Sequence, residues 1–503
     1  MRTEKSVKNL ISVVFFSIVI GVLGFIKVKV FVPGLTDDVY SINQLFYQIF
    51  GYLTIADIGF GLILNKNFYE AFARDDKELI NKIYSTSRKF YNYIGIIMIS
   101  ISLVLSFFVH YLTKANLSSS YIQIVFIIFI FRNVLDYFFV APRYVIDADQ
   151  KNYKINHLLK LIKILEILSE IILVLLKVDY LIVLIPGIFI TLLLDLYINH
   201  KVYKEYPFLH NDKSFDKKYL KGTKDLISLK LSGLMNSNTD IILISTFVNP
   251  ITVIIYTSYV YITKFISDTI YVAASAITPS FANVINKDGR DKAFNVFKEL
   301  NIFFIFIACF VSIMLYGFLN SLIVLWIGKE YLTTNIALIL FIVICFYNIA
   351  DRGVAITINS KGLFKETKVA MLVGALLNLV ISVCLIFKLG LVGVLLGTVI
   401  SNYLTIFIWN SYYIYKNVFD KKVIHYYLTY FKGLIITGVF MYLINLININ
   451  ASTVSSFIVN VLIYSVIVFI AIFIVYFIMF KDFRSLLVRG KELFLRRFRH
   501  EEN

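Results

Sequence analysis

Two pairs of opposite charges interrupt long apolar runs of this sequence at the same spacing. Arg132 and Asp136 lie in the run over residues 121–141, and Lys264 and Asp268 lie in a later run. Residues four apart share one face of a helix, so each pair can form an ion pair within its own helix. A charge in an apolar segment is costly and is a functional candidate by default. Two interpretations of Arg132 and Asp136 stay open: a structural ion pair that fixes one helix to its neighbours, or a role in a substrate cavity.

Other charges lie within apolar runs or at their ends. They are Lys27, Lys29, Asp57, Asp240, Asp351 and Arg352. Basic side chains at such positions can bind an anionic group, and carboxylates can bind a cation or balance a neighbouring base. The three cysteines and six histidines are scattered, without the spacing of a disulfide framework or a metal site. We therefore expect neither a metal nor a cofactor.

The elements that must position these charges are membrane-spanning helices. The chain has 503 residues, of which 59% are hydrophobic, and its mean hydropathy is +0.79. Apolar runs of about 20 residues recur, which is the length a helix needs to cross about 30 Å of hydrocarbon. A transmembrane β-barrel would instead alternate polar and apolar residues in short strands. The sequence thus predicts an all-α polytopic membrane protein.

We predict fourteen spans, and the basic residues give them an orientation. The spans cover roughly 9–32, 40–64, 89–112, 120–142, 155–177, 180–200, 225–248, 251–283, 299–323, 332–359, 367–387, 391–415, 430–449 and 455–480. Of the 49 lysines and arginines, 40 then fall on the side of the N-terminus and 6 on the opposite side. Basic residues concentrate in cytoplasmic loops, so both termini should be cytoplasmic. The net charge of +17 is explained by this topology and does not indicate nucleic-acid binding.

An internal repeat divides the predicted spans into two halves. The segment "FRNVLD" at 131–136 is echoed by "FYNIAD" at 346–351, and weaker echoes occur in the same order at similar offsets. The predicted domains are an N-lobe (1–215), a C-lobe (216–425) and a C-terminal pair of spans with a basic tail (426–503). Each lobe has six spans, so the repeats should be parallel. Transporters of this kind place their substrate between the halves.

Three segments carry a family resemblance. They are "YLTIADIGFGLILNKNF" (52–68), "NTDIILISTFVNPITVIIYTSYVYIT" (238–263) and "LLNLVISVCLIFKLGLVGVLLGTVISNYL" (376–404). Over residues 1–425 the chain resembles the polysaccharide transporter family of O-antigen and capsule flippases. That family shares a superfamily with lipid II flippases and multidrug and toxic-compound extrusion transporters. The two C-terminal spans resemble the lipid II flippase arrangement, in which such helices extend a groove for the lipid tail.

The resemblance implies a function and a setting. We expect a flippase for undecaprenyl-pyrophosphate-linked oligosaccharides, working by alternating access in the bacterial cytoplasmic membrane for assembly of lipopolysaccharide O-antigen, capsule or exopolysaccharide. A polymerase and a chain-length regulator are the expected protein partners. The alternatives are a lipid II or teichoic-acid-type flippase and a cation-coupled multidrug antiporter. An antiporter of this group typically carries an acidic residue in span 1, and residues 9–32 contain none. An enzyme is disfavoured because the chain has neither a large external loop nor a P-loop.

The resemblance also ranks the charged residues, because it implies that spans 1, 2, 7 and 8 line the cavity. Lys264 becomes the first candidate for a phosphate contact, and Asp240 is either a cation or proton site or the partner of Lys264. Asp57 is expected to be a structural gate or helix-end residue. Lys27 and Lys29 either extend to the interface or receive the phosphate on the outer side. In the repeat, Asp136 and Asp351 fit a shared scaffold, whereas Arg132 and Arg352 are positions where the lobes differ.

Overall fold

The computed structural model describes residues 2–54, 60–210, 215–220, 239–447 and 453–501. Over these residues the chain is almost entirely helical and contains no β-strand. Its contacts form two compact units, Met1–Ile254 and Ile255–Asn503, which we call the N-terminal and C-terminal units. The all-α prediction is confirmed. The predicted boundary at 215/216 belongs to the sequence repeat and stays a prediction.

The N-terminal unit contains nine helices in the described residues. They are α1 (Arg2–Gly34), α2 (Asp37–Leu53), α3 (Phe60–Ala73), α4 (Lys77–Ser106), α5 (Ser119–Val134), α6 (Ala141–Ala148), α7 (Tyr153–Leu175), α8 (Tyr180–Glu205) and α9 (239–247). Side chains of Thr36, Asp76, Ser118 and Asp179 accept backbone N–H bonds at the starts of α2, α4, α5 and α8. These caps satisfy N–H groups that the helix itself leaves unpaired. α7 packs on both α1 and α8.

The C-terminal unit begins within α10 and continues to the end of the described chain. Its helices are α10 (Pro250–Ser275), α11 (Thr278–Lys287), α12 (Arg290–Trp326), α13 (Asn335–Ala350), α14 (Arg352–Lys361), α15 (Phe364–Leu389), α16 (Leu391–Asn402), α17 (Ile408–Tyr413), α18 (Ile424–Asn445), α19 (Val454–Met479) and α20 (Lys481–Glu501). π-helical turns at Tyr403–Phe407 and Ile414–Phe419 flank α17. α12 is the central element, since α13, α18, α19 and α20 all pack on it.

Membrane-spanning segments account for most of this helical structure. Nine segments of the described residues are long and apolar enough to cross a bilayer, and a tenth is added if α10 and α11, bent by 43°, form one span. The chain is thus a multi-pass membrane protein. Four predicted spans remain. One overlaps α1, one overlaps the consecutive helices α2 and α3, one overlaps α7 and one overlaps α9, so the count of fourteen stays a prediction. α7 has 23 residues, and several charged residues interrupt its apolar sequence; two of them, Glu166 and Glu170, prove to be paired.

Candidate functional site

Arg132 lies in the last turn of α5 and is buried, with 5% of its surface exposed. Its guanidinium forms an ion pair with Glu170 of α7 and a second, at 3.3 Å, with Glu166. The sequence allowed a pair with Asp136 within one helix, and that prediction is wrong. α5 ends at Val134 and the next four residues form a 3₁₀ helix, so Asp136 does not lie one α-helical turn below Arg132.

Asp136 binds a different arginine. Its carboxylate lies 2.7 Å from Arg143 of α6, and the same guanidinium also pairs with Asp195 of α8. Asp195 is fully buried, whereas the Asp136 side chain is 44% exposed. The break between α5 and α6 therefore fixes three elements through one arginine, which is a structural role for Asp136.

Lys27 of α1 points into the N-terminal unit, where its ammonium forms an ion pair with Glu170. The same ammonium lies 4.7 Å from the centroid of the Phe31 ring. Only 18% of the Lys27 side chain is exposed. Lys29, two residues further along, is exposed. From the sequence, Lys27 and Lys29 had the same two interpretations, but the structure places them in different environments.

Four residues, Lys27, Arg132, Glu166 and Glu170, form what we call the α7 charge cluster. Thr191 of α8 donates a 2.9 Å hydrogen bond to Glu166. Each buried charge of this cluster has a partner of opposite sign on another helix, so the cluster links α1, α5, α7 and α8, and loss of one partner would leave a buried charge poorly compensated. Its cations already have anionic partners, and the structure thus favours the structural interpretation of Arg132.

Glycine makes room for this cluster on α8. A Cβ atom on Gly187 would collide with the guanidinium of Arg132. The bare helix surface at Gly187 lets the arginine cross over α8 to reach α7. Sequence reasoning missed this contact and the role of Glu170. One signal was available in the sequence: Lys163 can pair with Glu166 one turn away, and this pairing leaves Glu170 in the same apolar segment without an evident partner.

Two predicted carboxylates of the N-terminal unit lie elsewhere. Asp240 is in α9 and is buried at 3% exposed; its neighbour Thr239 shares a 2.5 Å hydrogen bond with Tyr52 of α2. Asp57 lies outside the described residues, within 55–59. The roles predicted for both carboxylates stay predictions.

In the C-terminal unit, one side of α10 is polar and exposed. Lys264 and Asp268 pair at 3.4 Å across one helical turn, and their side chains are 66% and 57% exposed. Tyr271 follows one turn later and is 43% exposed. The guanidinium carbon of Arg352, at the start of α14, lies 4.9 Å from the centroid of the Tyr271 ring. We call these four residues the α10 polar face.

Asp351 completes this part of the unit. It ends α13 and accepts a 3.4 Å hydrogen bond from the hydroxyl of Tyr426 on α18. Because Asp351 and Arg352 are adjacent in sequence, their side chains point in different directions. Arg352 reaches the α10 polar face, whereas Asp351 turns to the tyrosine.

The α10 polar face has the groups that an anionic glycan headgroup requires. Lys264 and Arg352 can make charge-assisted hydrogen bonds to phosphate oxygens. Asp268 can accept hydrogen bonds from sugar hydroxyls, and the Tyr271 ring offers a flat surface. The ion pair of Lys264 with Asp268 is exposed and therefore weak, so Lys264 can readily leave it to bind a ligand.

The opposite side of α10 is apolar. Ile262 and Ile266, about half a helical turn around from Lys264, line a cavity of about 310 Å³. α12 and α19 supply the remaining walls, including Phe318 and Val461. Nearly every lining side chain is a hydrocarbon or an aromatic ring, so the cavity suits an alkyl or polyprenyl chain.

The described residues contain no group of three or more histidine, cysteine or carboxylate side chains that could hold a metal ion. All three cysteines are free thiols.

Known structures share this fold. No family model matches the sequence, and a search of curated protein sequences gives no match. A solved structure described as "Lipid II flippase MurJ, inward closed conformation" superposes with a TM-score of 0.67 and 16% identity, over 92% of this chain and 99% of that one. A multidrug resistance MATE family transporter of the MOP superfamily, in an inward-facing conformation, gives a TM-score of 0.56 and 15% identity, over 84% and 95% of the two chains.

Both neighbours are described as a flippase or a transporter, and neither as an enzyme. The fold of this multi-pass membrane protein is therefore one that flippases and transporters use. At such low identity the likeness concerns the fold alone. The superposition on MurJ extends over nearly the whole of both chains.

Proposed function

We propose that this protein is a flippase that moves undecaprenyl-pyrophosphate-linked oligosaccharide repeat units from the cytoplasmic to the outer leaflet by alternating access. The observation that carries the proposal is the two-sided character of α10. Lys264, Asp268 and Tyr271 make one side polar, and Ile262 and Ile266 border an apolar cavity on the other. A substrate with a charged glycan headgroup and a polyprenyl tail needs both kinds of surface close together.

The two charge groups have separate roles in this proposal. Lys264 and Arg352 of the α10 polar face bind the pyrophosphate. The α7 charge cluster, whose bases are already paired, keeps the N-terminal unit rigid. The charged residues of predicted span 1 (9–32) are Lys27, paired with Glu170, and Lys29, and a cation-coupled antiporter would need a carboxylate there instead. This arrangement favours the flippase over the antiporter.

The setting follows from the function. We place the protein in the bacterial cytoplasmic membrane with both termini in the cytoplasm, where lipid-linked repeat units are made. Its product faces outward, and the proteins that consume it, a polymerase with its chain-length regulator, are the expected partners. Surface O-antigen, capsule or exopolysaccharide is the expected end product.

Deletion of the gene tests the proposal. Lipid-linked repeat units should accumulate on the cytoplasmic face, protected from a glycosidase added outside intact spheroplasts. Surface polysaccharide should disappear while the units themselves are still made. Normal surface glycan together with new drug sensitivity would contradict the proposal and support the antiporter.

A lipid II flippase is the second candidate, because the fold likeness covers 99% of the MurJ chain. Lipid II also carries a polyprenyl tail and a pyrophosphate, so the α10 polar face suits either substrate. Expression of this protein in cells depleted of their lipid II flippase separates the two functions. Restored growth would favour lipid II, whereas continued lysis is the result that our proposal predicts.

A further inference from the structure

We propose that the N-terminal unit carries a binding site for the headgroup of a glycerophospholipid, between α4 and α8 and separate from the α7 charge cluster. The site is a cavity of about 320 Å³. Arg88 and Tyr84 of α4 form one wall, Asn199 and His200 of α8 form another, and Phe138 closes one side. The inference does not depend on which substrate the protein transports.

The side chain of Arg88 lines the cavity and leaves room there for an anionic ligand. Arg88 contacts the hydroxyl of Tyr84, which in turn shares a 2.7 Å hydrogen bond with Tyr203 of α8. Within the described residues, Arg88 has no carboxylate at ion-pair distance. The nearby carboxylates Asp136 and Asp195 are both bound to Arg143. A phosphate oxygen is the natural partner for such a guanidinium.

A buried acceptor in the same cavity also needs a ligand. Asn199 is 9% exposed, and its side-chain oxygen receives no hydrogen bond from any residue that the structure describes. A buried acceptor without a hydrogen bond destabilises a protein, so nearly all buried acceptors in native structures receive one. The ligand should therefore offer a hydrogen-bond donor as well as a phosphate. Phosphoethanolamine and phosphoglycerol headgroups have both.

The depth of the cavity suits a headgroup at the inner surface of the bilayer. α4 has 30 residues and is about 45 Å long, which exceeds the hydrocarbon thickness of about 30 Å. Counted back from its far end at Ser106, about 20 residues cross the hydrocarbon, and the crossing ends near Arg88. Lys82 and Lys204 lie beyond that point, on the side predicted to be cytoplasmic.

An apolar surface leads from the cavity toward the bilayer centre. Leu196 lines the cavity and is 50% exposed, and Leu193 and Phe189 continue the same side of α8 at 65% and 59% exposed. Residues at this spacing form one stripe along a helix. Acyl chains can lie on that stripe while their phosphate contacts Arg88. This continuity favours a phospholipid over free phosphate.

Native mass spectrometry of the purified full-length protein tests the inference. We would count bound dioleoylphosphatidylethanolamine during a titration, for the wild type and four variants. Arg88→Gln and Asn199→Leu should each weaken the tightest binding event, by about tenfold or more for the loss of a charge-assisted hydrogen bond. Arg88→Lys should retain most of the binding. Lys82→Gln removes one charge from the same end of α4, outside the cavity, and should bind like the wild type.

Two competitors distinguish the parts of the ligand. Dioleoylglycerol, which lacks the phosphate, should not displace the bound lipid, and inorganic phosphate should not displace it even at millimolar concentration. Binding that is unchanged in both Arg88→Gln and Asn199→Leu, in variants that keep the melting temperature of the wild type, would overturn the inference. Displacement by inorganic phosphate would also overturn it and would indicate a free-phosphate site.

Discussion

Arg132 is paired with Glu170, 38 residues further along the chain, and not with Asp136 in its own segment. The pair joins α5 to α7, and Lys27 extends it to α1. An ion pair within one helix would stabilise only that helix, whereas this one ties three helices of the N-terminal unit together. Arg132 and Lys27, for which the sequence left both a structural and a substrate-binding interpretation open, thus take part in the internal packing of this unit.

The α7 charge cluster depends on each buried charge keeping a partner of opposite sign. Glu170→Gln leaves Lys27 without its carboxylate and Arg132 with Glu166 alone, and Lys27→Gln removes one of the two cations that pair with Glu170. Each single change should destabilise the protein by about 3 kcal/mol, because a buried charge loses its partner. Thermal unfolding in detergent, monitored by fluorescence-detected size exclusion, measures the loss.

The double variant Lys27→Gln/Glu170→Gln is the control for that prediction. It restores the charge balance, so its melting temperature should lie above that of at least one single variant. Losses that simply add in the double variant would show that the two residues act independently and that the pair is not a unit.

Gly187 provides a steric test of the Arg132 position. Gly187→Ala places a methyl group against the guanidinium, and overpacking of this kind costs about 1–3 kcal/mol. Gly438→Ala on α18 is the matched control, because no described atom lies within 4 Å of the added methyl group. Gly187→Ala should lower the melting temperature and Gly438→Ala should not. Equal melting temperatures for these two variants would place Arg132 elsewhere.

Much of the fold was predictable because a helix that crosses the lipid bilayer must be apolar along most of its length, and the sequence shows this directly as hydropathy. The all-α class and ten of the predicted spans coincide with helices or helix pairs of the structure. The partners of the charges were not predictable. Arg132 could be assigned to Asp136 only by assuming an unbroken helix, and the turn from α5 into a 3₁₀ segment depends on packing that no local pattern reveals. The environment of Lys27 likewise depends on α7, over a hundred residues away in sequence.

The α10 polar face should matter for transport and little for stability. Lys264→Ala removes an exposed pair that is worth at most about 1 kcal/mol, so the melting temperature should stay nearly unchanged. Surface polysaccharide should be lost, and Lys264→Arg should retain part of it. Lys292→Ala is the matched control, since Lys292 also forms an exposed i, i+4 pair, with Asp288 at 2.9 Å. Normal polysaccharide in Lys264→Ala cells would remove this lysine from the site.

The C-terminal helix α20 should be released by one substitution on α12. Glu299 is 6% exposed and accepts hydrogen bonds from Ser485 at 2.7 Å and from Arg489 at 2.6 Å. Glu299→Gln removes the charge that holds Arg489, and amide hydrogen exchange across α20 should rise at least several-fold. Glu492→Gln, on an exposed position of α20 itself, should leave exchange unchanged. Equal exchange in all three proteins would show that the contacts of Glu299 do not hold α20 in place.

Translocation by the purified protein tests the proposed function most directly. Proteoliposomes that contain undecaprenyl-pyrophosphate-linked oligosaccharide would be assayed for the fraction of glycan that an external glycosidase can reach over time. We predict that the wild type and Lys292→Ala move the lipid between leaflets, and that Lys264→Ala is as slow as protein-free vesicles. Equal translocation by Lys264→Ala and the wild type would contradict the assignment of the α10 polar face. The absence of translocation by the wild type, in vesicles where it is correctly folded, would contradict the flippase itself.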